Sequence, residues 1–112
     1  MRKEVAMSTL YLDSIGLASD VRALLSPIAR RDQELAKRLR RACDGVPEHI
    51  AEGMCLTGRS RRQEYEAARV SAREALACLQ AAESVGYLRD NHQGLSLRIE
   101  GLVRRISSTL EN

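Results

Sequence analysis

The sequence has few aromatic and few helix-breaking residues. It contains no Trp, no Phe, three Tyr and two Pro among 112 residues. A core without large rings must consist of aliphatic and small side chains. The lack of alternating runs of β-branched residues argues against a sheet. The length suits one domain, residues 1–112, around a single core, and we predict an all-α protein.

Long apolar runs are also missing. No stretch approaches eighteen consecutive apolar residues, and the first residues lack the apolar core of a signal peptide. We therefore expect no membrane segment and a cytoplasmic protein, with residues 1–7 flexible. The three cysteines are odd in number and include no Cys-x-x-Cys pair, which fits reduced thiols in that compartment.

Four apolar stripes with helical spacing follow one another along the chain. They predict helices over about 8–25, 32–57, 61–85 and 90–110. Ser26-Pro27 marks the expected end of the first helix, because a residue before proline avoids the helical conformation. Ser60 and Gln63 have the spacing of a capping box at the start of the third helix, and Gly86 is a candidate left-handed cap at its end. Short connections between long helices predict an antiparallel up-down-up-down four-helix bundle.

The second predicted helix contains a proline. Pro47 lacks a backbone N–H, and its ring crowds the carbonyl of Cys43, so we predict that this helix is kinked there. Ile50 continues the apolar stripe beyond the proline and is expected in the core. Gly53 and Gly58 are expected to end the helix.

The third predicted helix carries two unlike stripes. The first has heptad spacing and predicts the bundle core: Tyr65, Ala68, Ala72, Ala75, Leu79 and Ala82. The second consists mostly of small residues, which permit close approach of another subunit. Its candidates for an oligomer interface are Ala67, Ser71, Cys78 and Ala81. The alternative is that both stripes pack into one crowded core.

The titratable residues give no pattern for metal binding. The three cysteines, His49 and His92 lack the helical spacing of a metal pair, so they predict no metal and no cofactor. His49 and Glu52 share a face beside Pro47, where they would form a catalytic dyad or satisfy backbone groups freed by the proline. We favour the structural interpretation and expect no enzyme activity.

Glu74 lies within the row of small residues on the third helix. A carboxylate is costly to bury without a partner. Arg40 and Arg41 on the preceding antiparallel helix could supply one. We therefore expect a buried ion pair rather than an acid–base role for Glu74.

Positive charge is concentrated in the middle of the chain. The net charge is +3, and residues 30–73 contain eleven basic and seven acidic residues. Nine of the basic residues are candidates for a phosphate-binding surface. They are Arg30, Arg31, Lys37, Arg38, Arg59, Arg61, Arg62, Arg69 and Arg73. A solvated face, or a surface for an acidic protein partner, remains an alternative.

Short motifs in the middle of the chain resemble a known family. They are Leu39-Arg40-Arg41-Ala42, Val46-Pro47, Ile50-Ala51-Glu52-Gly53, Arg59-Ser60, Glu64-Tyr65, Ser71-Ala72, Glu74, Leu79 and Gly86-Tyr87. Together they resemble the four-helix bundle proteins encoded in intervening sequences of bacterial 23S ribosomal RNA genes. Gly45 and His49 depart from the usual pattern, in which serine and asparagine are common.

That family is related in fold to the accessory variability proteins of diversity-generating retroelements. Those proteins form pentameric barrels that bind nucleic acid and a reverse transcriptase. The resemblance therefore implies a homo-oligomer, expected to be a pentamer, with RNA or DNA as a partner. We expect a non-catalytic protein that binds nucleic-acid backbone through its basic surface. A structural protein–protein adaptor or scaffold without nucleic-acid binding is the alternative.

Overall fold

The computed structural model describes residues 2–90 and 92–111. Its helices are α1 (Lys3–Arg31), α2 (Gln33–Met54), α3 (Gly58–Ser84) and α4 (Gln93–Glu111). The described residues contain no strand, which confirms the all-α prediction. Each helix packs against its neighbour in sequence, and α4 closes onto α1. The result is the predicted up-down-up-down bundle, which extends over 42 × 23 × 19 Å.

The core consists of the predicted apolar stripes. The heptad seam of α3 is buried along its whole length, from Tyr65 to Ala82. Ile50 is fully buried, which confirms its predicted position, and Leu39, Leu79, Ile99 and Ile106 surround the same core. The alanines of α3 let the neighbouring helices approach closely, so larger aliphatic residues on the other helices fill the space.

The first helix is longer than the sequence predicts. It begins at Lys3 rather than near residue 8, and Met7 is only 2% exposed. Residues 3–7, expected to be flexible, thus belong to α1, while Met1 lies outside the described residues. The helix also continues through Pro27 to Arg31. Proline removes one helical hydrogen bond, and continuing the helix buries Ile28 completely.

A single residue separates α1 from α2. The backbone N–H of Asp32 donates to the carbonyl of Ile28 at 2.8 Å and closes the last turn of α1. Its carboxylate accepts a hydrogen bond from the backbone N–H of Leu35 at 3.0 Å. Because Asp is a favoured N-cap residue, this one position both ends α1 and starts α2.

The ends of α3 differ in how well the sequence predicts them. The helix starts at Gly58, with a φ of +60°, after Thr57 as the N-cap. Ser60 therefore lies inside the first turn and forms no capping box. At the other end Gly86 has a φ of +78°, as predicted. The N–H groups of Gly86 and Tyr87 donate to the carbonyls of Glu83 and Ala82 at 3.2 and 2.9 Å, which forms a Schellman motif.

Two glycines bring α2 and α3 close together. The prediction that Gly53 ends α2 is wrong, because this glycine is a buried residue within the helix, which ends at Met54. A Cβ at Gly53 would lie 2.6 Å from Cδ1 of Tyr65, and a Cβ at Gly45 would lie 2.7 Å from Oγ of Ser71. Gly53 is therefore required by packing against the buried ring, whereas at Gly45 the Ser71 hydroxyl could rotate away from an added methyl group. Pro47 lies inside the continuous helix between them, and the bend at this residue stays a prediction.

The cysteines have different environments. Cys43 and Cys78 are buried, whereas Cys55 is exposed just after α2. Burial, together with the nearby Asp44 carboxylate, raises the pKa of Cys43 to about 12. Burial also raises the pKa of Cys78.

None of the helices in the described ranges is long and apolar enough to span a bilayer.

The packing of Tyr65 on Gly53 predicts that Gly53→Ala destabilises the fold. The added methyl group would displace a ring that is itself buried, and overpacking of this kind costs about 1–3 kcal/mol. Gly101→Ala is the matched control in α4, where the nearest foreign atom to a Cβ is a flexible arginine tip at 3.8 Å. It should stabilise the helix by up to about 1 kcal/mol. Urea unfolding would measure the change in the free energy of unfolding for both variants. Equal changes in Gly53→Ala and Gly101→Ala would contradict the packing argument.

The buried thiols predict selective modification of Cys55. At pH 8 the thiolate fraction of Cys43 should be very small, because its pKa is raised to about 12 and the thiolate is the reactive form. Ellman's reagent should therefore modify one thiol per native chain rapidly and all three cysteines after unfolding. Rapid modification of a second thiol in the native protein would show that Cys43 or Cys78 is accessible.

Candidate functional site

The nine predicted phosphate-binding residues are distributed along the full length of the bundle. Arg30, Arg31, Lys37 and Arg38 lie at the end where α1 meets α2, which we call the α1–α2 end. Arg59, Arg61 and Arg62 lie at the opposite end, where α2 meets α3, called the α2–α3 end. Arg69 and Arg73 lie between them on α3. Since the long dimension is 42 Å, these residues do not form one compact patch.

Arg61 is occupied by a contact inside the chain. Its Nε donates to the carbonyl of Gly53 at 3.0 Å, and its Nη2 donates to the carbonyl of Met54 at 3.4 Å. These carbonyls are at the end of α2, where helical carbonyls lack intrahelical partners. A cation there also interacts favourably with the helix dipole. Arg61 is therefore a C-terminal cap for α2.

Other predicted arginines connect α3 to its surroundings. Arg62 donates to the carbonyl of Leu110 at the end of α4 and pairs with Glu66 at 3.2 Å. Arg69 donates to Oγ of Ser107, also on α4, at 3.2 Å. The Arg31 guanidinium stacks over the ring of Tyr87 at 5.6 Å. These side chains support the fold in the same way as Arg61.

A group of exposed basic residues remains in the last turn of α1 and the first half of α2. We call it the α1–α2 cluster, and its members are Arg30, Lys37, Arg38, Arg40 and Arg41. Lys37 pairs with Glu34 at 3.7 Å, and an exposed pair of this kind contributes little. In the part of the chain that the structure describes, the four arginines of the cluster have no ion-pair partner.

The sequence pattern does not assign Arg40 and Arg41 to the phosphate-binding set. It predicts instead that they pair with a buried Glu74. The structure corrects this prediction, because Glu74 is exposed and forms no ion pair with a described residue. Glu74 lies at the outer edge of the α2–α3 contact, where water can solvate its carboxylate. Arg40 and Arg41 are consequently available for a ligand.

The predicted oligomer interface is partly covered by the chain itself. Cys78 is buried, and Ser71 lies against Gly45 of α2. Ala67 is half-buried, and Ala81 is exposed. The second stripe of α3 therefore contributes to the contact with α2 at two of its four positions.

His49 has a partner that sequence spacing does not indicate. Its Nδ1 forms a hydrogen bond with Oε2 of Glu64 on α3 at 2.8 Å. Glu52, considered as the dyad partner, is exposed and forms no bond with His49. The contact therefore joins α2 to α3. The resemblance motif around Pro47 has a structural role through Ile50 and Gly53, which are buried, whereas His49 is a departure from that motif.

A groove of about 840 Å³ lies between α1 and α2 on the outer surface. Its apolar part includes Tyr11, Ile15, Pro47 and Ala51. Its carboxylates are Asp44, Glu48, Glu52 and Glu64. Arg22 also lines the groove and binds Asp44 at 3.2 Å. The described residues contain no group of three or more side chains placed to hold a metal ion.

The capping contacts predict that Arg61→Ala with Arg62→Ala destabilises the protein. Each arginine donates to carbonyls at a helix end, and a hydrogen bond from a charged group is worth about 1.5–3 kcal/mol. We expect a decrease of at least about 2 kcal/mol in urea unfolding for the pair. Arg59→Ala is the control, because Arg59 is exposed at the same end without a partner among the described residues, and it should change stability by less than about 0.5 kcal/mol. Equal stability of the parent protein, the double variant and the Arg59→Ala control would contradict the capping role.

Comparison with known proteins identifies the family of this chain. Searches among curated proteins and among solved structures give no significant match. The model of the 23S rRNA-intervening sequence protein family matches residues 8–108, which include nearly all of the four helices. The chain therefore belongs to the family of 23S rRNA-intervening sequence proteins.

Proposed function

We propose that this protein is a non-catalytic binding protein that contacts the phosphate backbone of RNA or DNA through the α1–α2 cluster. One observation carries the proposal: Arg30, Arg38, Arg40 and Arg41 are exposed on the last turn of α1 and the first half of α2, with no ion-pair partner among the described residues. Most of the other predicted arginines are already engaged within the chain.

Free arginines suit this ligand for two reasons. A guanidinium can donate two parallel hydrogen bonds to one phosphate. No ion pair with a described residue has to be broken before Arg38, Arg40 or Arg41 binds, so little of the binding free energy is spent on rearrangement. The neighbouring aromatic ring, Tyr87, is half-buried and already stacks with Arg31. Without a free ring to stack on bases, we expect contacts to the backbone and little sequence preference.

Self-association would strengthen such binding. The resemblance to the accessory variability proteins of diversity-generating retroelements makes a pentamer the expected assembly and nucleic acid an expected partner. Both expectations rest on likeness of fold alone. Several copies of the α1–α2 cluster in one particle would bind a single strand with much higher avidity than one copy.

A protein–protein adaptor is the second candidate function. The observation that favours it is the groove between α1 and α2, where apolar side chains adjoin four carboxylates. Such a surface fits a basic protein segment and repels nucleic acid. The two candidates differ in whether the protein binds RNA or DNA at low salt.

The proposal predicts that Arg38→Ala with Arg41→Ala weakens nucleic-acid binding. Fluorescence anisotropy with labelled single-stranded RNA and duplex DNA, between about 50 and 200 mM salt, would measure it. Removing one phosphate contact should reduce the log–log salt slope by about 0.7 for a single strand and about 0.9 for a duplex. The fold should be unaffected, because both side chains are exposed.

The control removes the same charge from other surfaces. Arg59→Ala with Arg104→Ala changes one residue at the α2–α3 end and one exposed residue on α4. Both double variants lower the net charge by two, so a difference between them reports the loss of local phosphate contacts and not the change in the long-range electrostatic field. Equal weakening in both double variants would contradict a site at the α1–α2 cluster. Absence of binding by the parent protein at about 50 mM salt would favour the adaptor.

A further inference from the structure

The groove between α1 and α2 is bordered by a row of carboxylates. Asp44, Glu48 and Glu52 follow one another at intervals of four residues on α2, so they form one ridge along the groove. Arg22 of α1 binds Asp44 at 3.2 Å and neutralises it. Glu48 and Glu52 are exposed and have no ion-pair partner in the described ranges. The ridge therefore presents two unpaired negative charges that lie one helical turn apart.

Apolar side chains lie beside this ridge. Pro47 and Ala51 of α2 are half-buried one turn apart, and Tyr11 and Ile15 of α1 have the same spacing. Ile15 is 41% exposed, and Leu12, its neighbour on the preceding turn, is 66% exposed. Single exposed apolar residues need no special role, but these residues line or adjoin one concave surface. Because burying them would be favourable, an occupant of the groove should have an apolar face.

The shape of the groove fits a helix. Its lining residues on α1 extend from Tyr11 to Arg22, a length of roughly 16 Å or about three helical turns. Both walls are helices, whose backbone groups are already bonded within each helix and offer no edge to an extended strand. A third helix can instead pack its side chains between the ridges of α1 and α2.

The spacing of the unpaired carboxylates specifies the charge pattern of such a helix. Lys or Arg residues three or four positions apart on the occupant repeat about every 5.4 Å, as Glu48 and Glu52 do on α2. One cation can then approach each carboxylate while an apolar stripe on the same helix faces Ile15 and Pro47. The groove therefore favours a basic amphipathic helix.

Nucleic acid and a second copy of this chain fit the groove less well. The phosphates of nucleic acid would approach carboxylates of the same charge. On the outward face of α3, Val70 is 60% exposed, but Arg73 and Glu74 lie within one turn of it. Neither of these two has an ion-pair partner among the described residues, and their charges cancel. The surface around Val70 thus supplies no net positive charge to the groove.

We propose that the groove between α1 and α2 binds an amphipathic helix of another protein, whose apolar stripe is flanked by Lys or Arg residues one turn apart. The apolar stripe packs on Ile15 and Pro47, and the cations approach Glu48 and Glu52. The proposal rests on the adaptor, the second candidate function, and gives it a partner of defined chemistry. It does not depend on nucleic-acid binding, because the α1–α2 cluster shares no residue with the groove.

Designed peptides test this assignment. The probe is a fluorescein-labelled peptide of about 14 residues, or about four helical turns, with Leu on one face and Lys on the other. One control peptide keeps the Leu pattern and has Glu in place of Lys. A second control has the Leu/Lys sequence with a central proline, which disrupts the helix. Fluorescence anisotropy with the full chain should show saturable binding of the probe and much weaker binding of both controls.

Variants of the protein locate the binding. Glu48→Gln with Glu52→Gln keeps the side-chain shape and removes both charges, so the Kd of the probe should rise about three- to tenfold. Ile15→Ser removes apolar surface and should raise the Kd at least about threefold. Glu74→Gln with Glu111→Gln is the matched control, because it removes two exposed carboxylates outside the groove. It should change the Kd by less than about twofold, since salt screens distant charges. Circular dichroism would confirm folding of each variant.

Several results would overturn the proposal. These are no saturable binding of the probe up to about 100 μM, equal binding of either control peptide, an unchanged Kd in both groove variants, or equal weakening in the control variant. If native mass spectrometry showed an assembly of copies that the groove variants dissociate, a second copy would be the occupant. Probe binding without RNA or DNA binding would support the groove and contradict the nucleic-acid function. The reverse result would contradict the groove alone.

Discussion

The packing of the Tyr65 ring on Gly53 is the contact on which the α2–α3 half of the bundle depends. The ring can lie against the backbone only because Gly53 has no Cβ. At this closest approach Arg61 reaches the last carbonyls of α2, and His49 reaches Glu64. Gly53, Glu64 and Tyr65 of the resemblance motif are thus held in place by packing and hydrogen bonds. These contacts give the motif a part in building the fold.

Arginine serves two competing purposes in this chain. Arg61 and Arg62 satisfy carbonyls at the ends of α2 and α4, and Arg69 bonds to Ser107. A guanidinium held in such a contact would have to leave it before binding a phosphate. Arg30, Arg38, Arg40 and Arg41 of the α1–α2 cluster have no such contact among the described residues. The absence of ion-pair partners for Arg38 and Arg41 in the described ranges makes the α1–α2 cluster the better candidate for binding phosphate.

Local patterns predict much of this fold but little of the candidate site. Helical periodicity is enough to locate the buried seam of α3 and the position of Ile50, and the glycine cap at Gly86 follows from backbone conformation alone. The continuation of α1 through Pro27 could not be predicted, because its favourable term is the burial of Ile28 in a core formed by other helices. The His49–Glu64 hydrogen bond could not be predicted either, because it joins residues of two different helices. Which arginines remain free depends on contacts with distant helix ends.

Self-association would change the surface that the α1–α2 cluster presents to a ligand. In any closed ring built from one heterologous contact, equivalent residues of all subunits lie at the same height along the axis. The clusters would therefore form one circle of positive charge at a single height along that axis. Assembly and backbone binding would then reinforce each other, because several clusters could contact one strand.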